Sequence, residues 1–139
     1  MLEVIKNKAC LSLLDFFIDS IRSFLVKAGV CEQTIFDVIL SSEEILVNVM
    51  SYAYPNGKKG EVEVCCELID NGVSKKVKIT FIDEGKFFDA LDMATPDTAI
   101  PIEERGIGGL GIHLVKTLMD DVSYTRGNNQ NILTIAKSL

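Results

Sequence analysis

The order of patterns along the chain predicts an α+β fold: a two-layer α/β sandwich whose mostly antiparallel mixed sheet is covered on one face by helices. Three observations carry this reading. Two stretches with helical spacing come early, a pair of alternating segments around a turn signal follows, and a third helical stretch leads into two further alternating segments. At 139 residues the chain is long enough for one well-buried core and too short for two, so residues 1–139 read as a single domain.

"LEVIK" is a short strand. In "CLSLLDFFIDSIRSFLVKAGV" the residues Leu14, Phe17, Ile18, Ile21, Phe24 and Leu25 share one helical stripe, and Ala28-Gly29 supplies a glycine stop. A second helix is expected from Glu32 to Ala53, ended by Pro55 and "NGKKG". "EVEVCCEL" and "KKVKITFID" alternate on either side of Asn71-Gly72, the signature of a hairpin. An irregular stretch from Glu84 to Gly109 has the length of a functional lid. "LGIHLVKTLMDD" returns to helical spacing, and "VSYTRG" and "NILTIAKSL" form a closing pair of strands.

Composition narrows the function. Nearly half the residues are apolar and about a quarter are charged, as in ordinary globular proteins. A formal net charge of -6 argues against nucleic acid or an anionic membrane as a general partner. Cys10, Cys31, Cys65 and Cys66 lack metal-ligand spacing and read as reduced and structural, which fits a cytoplasmic protein. Adjacent in an alternating segment, Cys65 and Cys66 should point to opposite faces. The N-terminus does not resemble a signal peptide, and no apolar run approaches membrane-spanning length. His113, the only histidine, is assigned no role.

The second helix carries the first chemical signal. At about 100° per residue, Asp37, Ser41, Glu44, Asn48, Ser51 and Tyr52 fall on one narrow polar strip of an otherwise apolar helix. Glu44 and Asn48, four residues apart, are neighbours on it, whereas Glu43 lies off it. A carboxylate beside a carboxamide suits a hard cation and a positioned water. The helix alone leaves open that both residues simply reach solvent.

Two glycine-containing stretches follow. Asp83 ends the second hairpin strand and Gly85 comes two residues later; the Asp can accept from an amino group, and the Gly permits a flat ring close to the backbone. Downstream, Gly106, Gly108, Gly109 and Gly111 crowd the start of the third helix. Backbone amides there suit an anion such as phosphate, although a plain glycine hinge fits the same residues. The segment is neither a Walker loop nor a Rossmann fingerprint.

Together and in this order, the three pieces resemble the Bergerat-fold ATPases, the superfamily of DNA gyrase, histidine kinases and MutL. "EEILVNVMSYAY" looks like the family's N box, with Glu44 and Asn48 matching its Glu-x-x-x-Asn. "DEG" looks like the first glycine box and "GGLGIHLVKTLMD" like the second. The closest parallel is the small stand-alone branch, the anti-sigma-factor serine/threonine kinases, and the resemblance covers essentially the whole chain.

The resemblance implies ATP and Mg²⁺ as cofactors and a role for each matched residue. Asn48 would supply an oxygen to Mg²⁺, and Glu44 would serve as general base or orient the attacking hydroxyl. Asp83 would bond the adenine amino group over Gly85. Gly108, Gly109, Leu110 and Gly111 would form a lid hinge and donate amides to phosphate oxygens. Three positions depart from the pattern: Phe87 replaces the second Gly of Asp-x-Gly-x-Gly, Gln130 and Asn131 replace Gly-Thr, and Tyr52 stands where a basic residue or His is common. Asn131 keeps the capacity to bond a water near adenine.

The implied activity is phosphorylation of a small anti-sigma-antagonist-like protein by an enzyme that otherwise holds a sigma factor, in the cytoplasm and with homodimerisation common in the branch. Two alternatives stand beside it. One is a non-catalytic binding module that uses ATP as a conformational ligand; the other is a degenerate fold without a nucleotide site.

Overall fold

The computed structural model describes residues 1–87 and 109–139. Gly106, Gly108 and most of the stretch expected to form a lid therefore lie outside the described residues. Strand β1 (Leu2–Lys8) leads through a 3₁₀ turn at Leu11–Leu13 into helix α1 (Leu14–Lys27), and α2 spans Glu32–Asn48. The hairpin is β2 (Glu61–Asp70) and β3 (Lys75–Asp83); α3 (Gly109–Leu118), β4 (Asp121–Gly127) and β5 (Gln130–Ser138) complete the chain.

Helix α1 buries Phe17, Ile18, Ile21, Phe24 and Leu25 of the stripe expected from the spacing, while Leu14, also expected on it, is half-buried. Its end is a Schellman motif. Gly29 takes φ +76° and donates its N–H to Val26 O, while Val30 N–H reaches back to Leu25 O, each at 3.1 Å. Buried Val30 then seals the end of the helix against the core.

The single helix expected from Glu32 to Ala53 changes character at Asn48. The α-helix stops there and a π-helical turn, Val49–Ala53, continues it. Within that turn Ser51 is exposed and Tyr52 half-buried. Asp37, at the other end of the strip, is held elsewhere: its carboxylate lies 3.5 Å from Lys137 Nζ and accepts from Gln33 Nε2 at 3.1 Å. Lys137 also donates to Leu118 O, tying β5 to the ends of two helices.

The sheet order is β1-β2-β3-β5-β4, and all four pairings are antiparallel. The expected parallel component is absent among the described strands for a topological reason. β3 and β4 point the same way and α3 lies between them in sequence, but β5 returns through the Asn128-Asn129 turn and inserts between them. Both turn residues have positive φ, 53° and 61°, as a two-residue hairpin turn requires.

Alternation decides the faces. Val62, Val64 and Cys66 on β2, Val77, Ile79 and Phe81 on β3, and Ile135 on β5 are all buried beneath α1, α2 and α3. Cys66 is fully buried and Cys65 half-exposed, so the adjacent pair does split across the sheet. Burial of each large core side chain such as Phe17, Phe24 or Phe81 contributes about 2–3 kcal/mol. None of the described helices is long and apolar enough to cross a membrane.

Candidate functional site

The inward alternation of β3 does not stop at Phe81. Asp83 is the next inward residue, and its register partner on β5 is Asn131, which in turn faces Arg126 on β4. A polar row thus closes the end of a sheet whose inner face is otherwise apolar. One step deeper lies the row Tyr124, Leu133, Phe81 and Val64.

Above these rows a narrow cleft opens between α2, the π turn, α3 and the sheet. Its walls are Ile45, Val49, Ala53, Phe81, Ile112 and Leu133, and its polar groups come from Asn48, Tyr52, Asp83, Tyr124 and Asn131. A mostly apolar cleft with a few convergent polar groups is the usual form of a ligand site.

Asp83 is a buried carboxylate, 6 % exposed, held by N–H donors. Its Oδ1 accepts from Gly85 N–H and from Asn131 Nδ2, each at 2.9 Å. Asn131 also donates to Lys86 O at 2.8 Å and accepts from Tyr124 OH at 2.6 Å. Both amide hydrogens of Asn131 are therefore spent on protein, and a water can engage only the remaining lone pair of Oδ1. Arg126 donates to Gly85 O at 2.9 Å, so the loop after β3 is pinned from both ends of the row.

The π turn supplies the loop's other contacts. Lys86 N–H donates to Ala53 O at 2.9 Å, and a β-carbon on Gly85 would collide with that same Ala53 carbonyl. Close backbone approach, rather than unusual φ, is what requires glycine at 85. Tyr54 OH donates to Glu61 O at 2.6 Å and accepts from Glu84 N–H at 2.9 Å, with burial pushing its phenol pKa up.

Glu44 and Asn48 reach different parts of the site. Glu43 is exposed and Glu44 half-buried, as the strip required. The Glu44 carboxylate occupies the space beside Gly111 that a β-carbon there would need. Asn48 is buried in the pocket wall, and its Nδ2 has no hydrogen-bond partner among the described residues. An unpaired buried amide costs about 1–3 kcal/mol, a cost a ligand relieves. No three His, Cys, Asp or Glu side chains converge among the described residues.

The structure thus brings Asn48, Asp83 and Asn131 to one pocket, with Gly85 packed under its rim and Glu44 beside Gly111. Gly109 and Leu110 open α3; Gly108 lies outside the described residues. The sequence reading missed Tyr124 and Arg126. Alternation in "VSYTRG" places both on one face, but only the register across the Asn128-Asn129 turn sets them beside Asn131. Phe87, in the place of a glycine, is 62 % exposed and meets Tyr124 edge-on with ring centroids 6.0 Å apart.

Comparison with known proteins gives this pocket a context. A family model described as a histidine kinase-like ATPase domain matches residues 11–137. The chain belongs to this family. Among curated relatives of this histidine kinase-like ATPase domain, the serine-protein kinase RsbW of Bacillus subtilis is 27 % identical over 114 residues, covering 79 % of this chain and 67 % of its own. RsbW of Oceanobacillus iheyensis is 28 % identical over 109 residues, 75 % of this chain and 64 % of its own. RsbW of Listeria monocytogenes is 28 % identical over 107 residues, covering 74 % and 66 %. The domain is homologous to these kinases and spans about two thirds of their length. Among solved structures, the RsbU and RsbW domains of a Mycobacterium tuberculosis protein match with a TM-score of 0.70. That match covers 99 % of this chain and 32 % of the other at 17 % identity, which speaks to the fold alone.

Proposed function

We propose that the protein is an ATP-dependent serine/threonine protein kinase that transfers the γ-phosphate to a small regulatory protein of the anti-sigma-antagonist type. The observation that carries this reading is the amide of buried Asn48, which lacks a partner among the described residues, in the same pocket as the buried acceptor Asp83. One end of the pocket then awaits a polar ligand group, and the other presents a carboxylate suited to an exocyclic amine.

In this reading Asp83 receives the adenine amino group, Gly85 keeps the rim low, and Gly108, Gly109, Leu110 and Gly111 contribute amides toward the phosphates. Asn48 would offer its Oδ1 to a Mg²⁺ ion, which would supply charge neutralisation at the phosphates. Glu44 accepts the proton of the incoming serine or threonine hydroxyl as its oxygen bonds to γ-phosphorus; the bond to the bridging oxygen breaks and ADP leaves. Such transfer depends mainly on positioning and charge neutralisation.

The homology to serine-protein kinases supports transfer over binding alone. Phe87, exposed beside Tyr124 at the pocket, favours a second reading in which the domain binds ATP and sequesters a partner without transferring phosphate. Incubation with Mg-[γ-³²P]ATP and small proteins encoded beside it separates the two. Label on a serine or threonine of one of them supports the kinase. Calorimetric ATP binding without label leaves the binding module, and no ATP binding removes both.

A further inference from the structure

The proposed chemistry uses Asp83 and leaves Tyr124 and Asn131 without a part. We infer that Tyr124 and Asn131 are positioning residues that lock Asp83 as a pure hydrogen-bond acceptor, so that the pocket selects 6-amino over 6-oxo purine nucleotides. This rests on the nucleotide reading above.

The Asn131 carboxamide has one orientation that satisfies all its neighbours. Its Nδ2 faces two acceptors, Asp83 Oδ1 at 2.9 Å and Lys86 O at 2.8 Å. The flipped amide would set an oxygen against both, which two acceptors forbid. With Nδ2 so placed, Oδ1 must accept, and the Tyr124 hydroxyl at 2.6 Å must donate. The direction of the chain from Tyr124 through Asn131 to Asp83 is therefore fixed.

At its end, Asp83 Oδ1 has two N–H donors, Asn131 and Gly85. No hydrogen bond to Oδ2 occurs among the described residues, and the Arg126 guanidinium is directed to Gly85 O. Asp83 is thus a buried carboxylate stabilised by neutral donors, with one oxygen left over on a pocket-lining residue. An exocyclic amine donates to that oxygen. A 6-oxo group brings lone pairs to it and leaves that second oxygen without a donor and desolvated. Sites built around a buried polar partner reject such analogues strongly.

ATP and ITP differ only at this edge of the base, which makes them the probes. Calorimetry on the full chain with Mg-ATP and Mg-ITP should show ATP favoured by about a hundredfold or more. Tyr124→Phe keeps the ring against Phe87 but removes the donor that fixes Asn131; the ATP:ITP ratio should fall by about tenfold. Asn131→Asp places a second carboxylate beside Asp83, so that the pair retains a proton and gains donor character; the ratio should fall at least as far. Equal weakening of both nucleotides in either variant, or an unchanged ratio, would mean that these residues only support the fold and would overturn the inference. Wild-type protein that binds ATP and ITP alike overturns it while leaving the nucleotide site intact. Protein that binds neither removes the nucleotide reading as well.

Discussion

The Glu44 carboxylate on α2 lies against Gly111 in the first turn of α3, in the volume that any side chain at 111 would need. The π turn and the β2–β3 hairpin separate the two motifs in sequence, yet each limits what the other can be. Because the obstructing atom is the far end of a flexible side chain, a larger residue at 111 moves Glu44 rather than the backbone.

Gly111→Ala should therefore separate stability from activity. Alanine improves helix propensity by up to about 1 kcal/mol, which offsets the displacement of Glu44. Thermal melting should change little, while γ-phosphate transfer falls by about tenfold or more. A large drop in melting temperature together with unchanged transfer would contradict this arrangement.

Asn48→Ala and Glu44→Ala should fail in different ways. Loss of the Asn48 oxygen should weaken Mg-ATP binding by about tenfold to a hundredfold. Nucleotide-free stability should hold or rise, because an unpaired buried amide leaves with it. Glu44→Ala should keep most ATP affinity and lose about a hundredfold or more in transfer. Isothermal titration with single-turnover transfer measures both, and an equal loss of binding in the two variants would contradict their separate roles.

Gly85→Ala meets the Ala53 backbone carbonyl, which cannot swing away. We expect destabilisation of about 1–3 kcal/mol, read as a lower urea midpoint with an unchanged slope. Disruption of the Lys86 N–H bond to Ala53 O should accompany it, seen as faster amide exchange at Lys86.

Burial pushes the Cys66 thiol up to about 12 from an ordinary 9.0. The folded protein keeps the proton that the unfolded chain loses, so Cys66 should lower stability as pH rises from about 9 toward 12, by up to about 1.4 kcal/mol per unit. Cys66→Val should flatten that alkaline decline in denaturant titrations. Exposed Cys10 and Cys31, whose pKa values are lowered by the Ser12 and Thr34 hydroxyls respectively, should react with iodoacetamide well before Cys66.

Much of this architecture was legible because it is set by local periodicity. The α1 stripe from Phe17 to Leu25, the glycine stop at Gly29 and the split of Cys65 from Cys66 follow from helix and strand geometry alone. Within the site, the choice of Glu44 over Glu43 followed from angular position on one helix, and Asp83 from its place at a strand end. The rest depends on contacts between distant segments. The π turn after Asn48 forms against the loop at Gly85 and Lys86, and no pattern in "VMSYA" announces it. Asp37 shares the strip with Asn48 but is claimed by Lys137, far along the chain on β5. Tyr124 and Arg126 join the site only through the β4–β5 register, and Phe87 is read as a departure until its contact with Tyr124 is seen.

The insertion of β5 between β3 and β4 has a consequence for synthesis of the protein. Asp83 leaves the ribosome long before Asn131, its partner across the β3–β5 ladder. Until β5 emerges, the acceptor at the end of β3 lacks a neighbour to orient it and β4 has nowhere to dock. The Asp83 end of the pocket is therefore completed only once β5 has paired with β3.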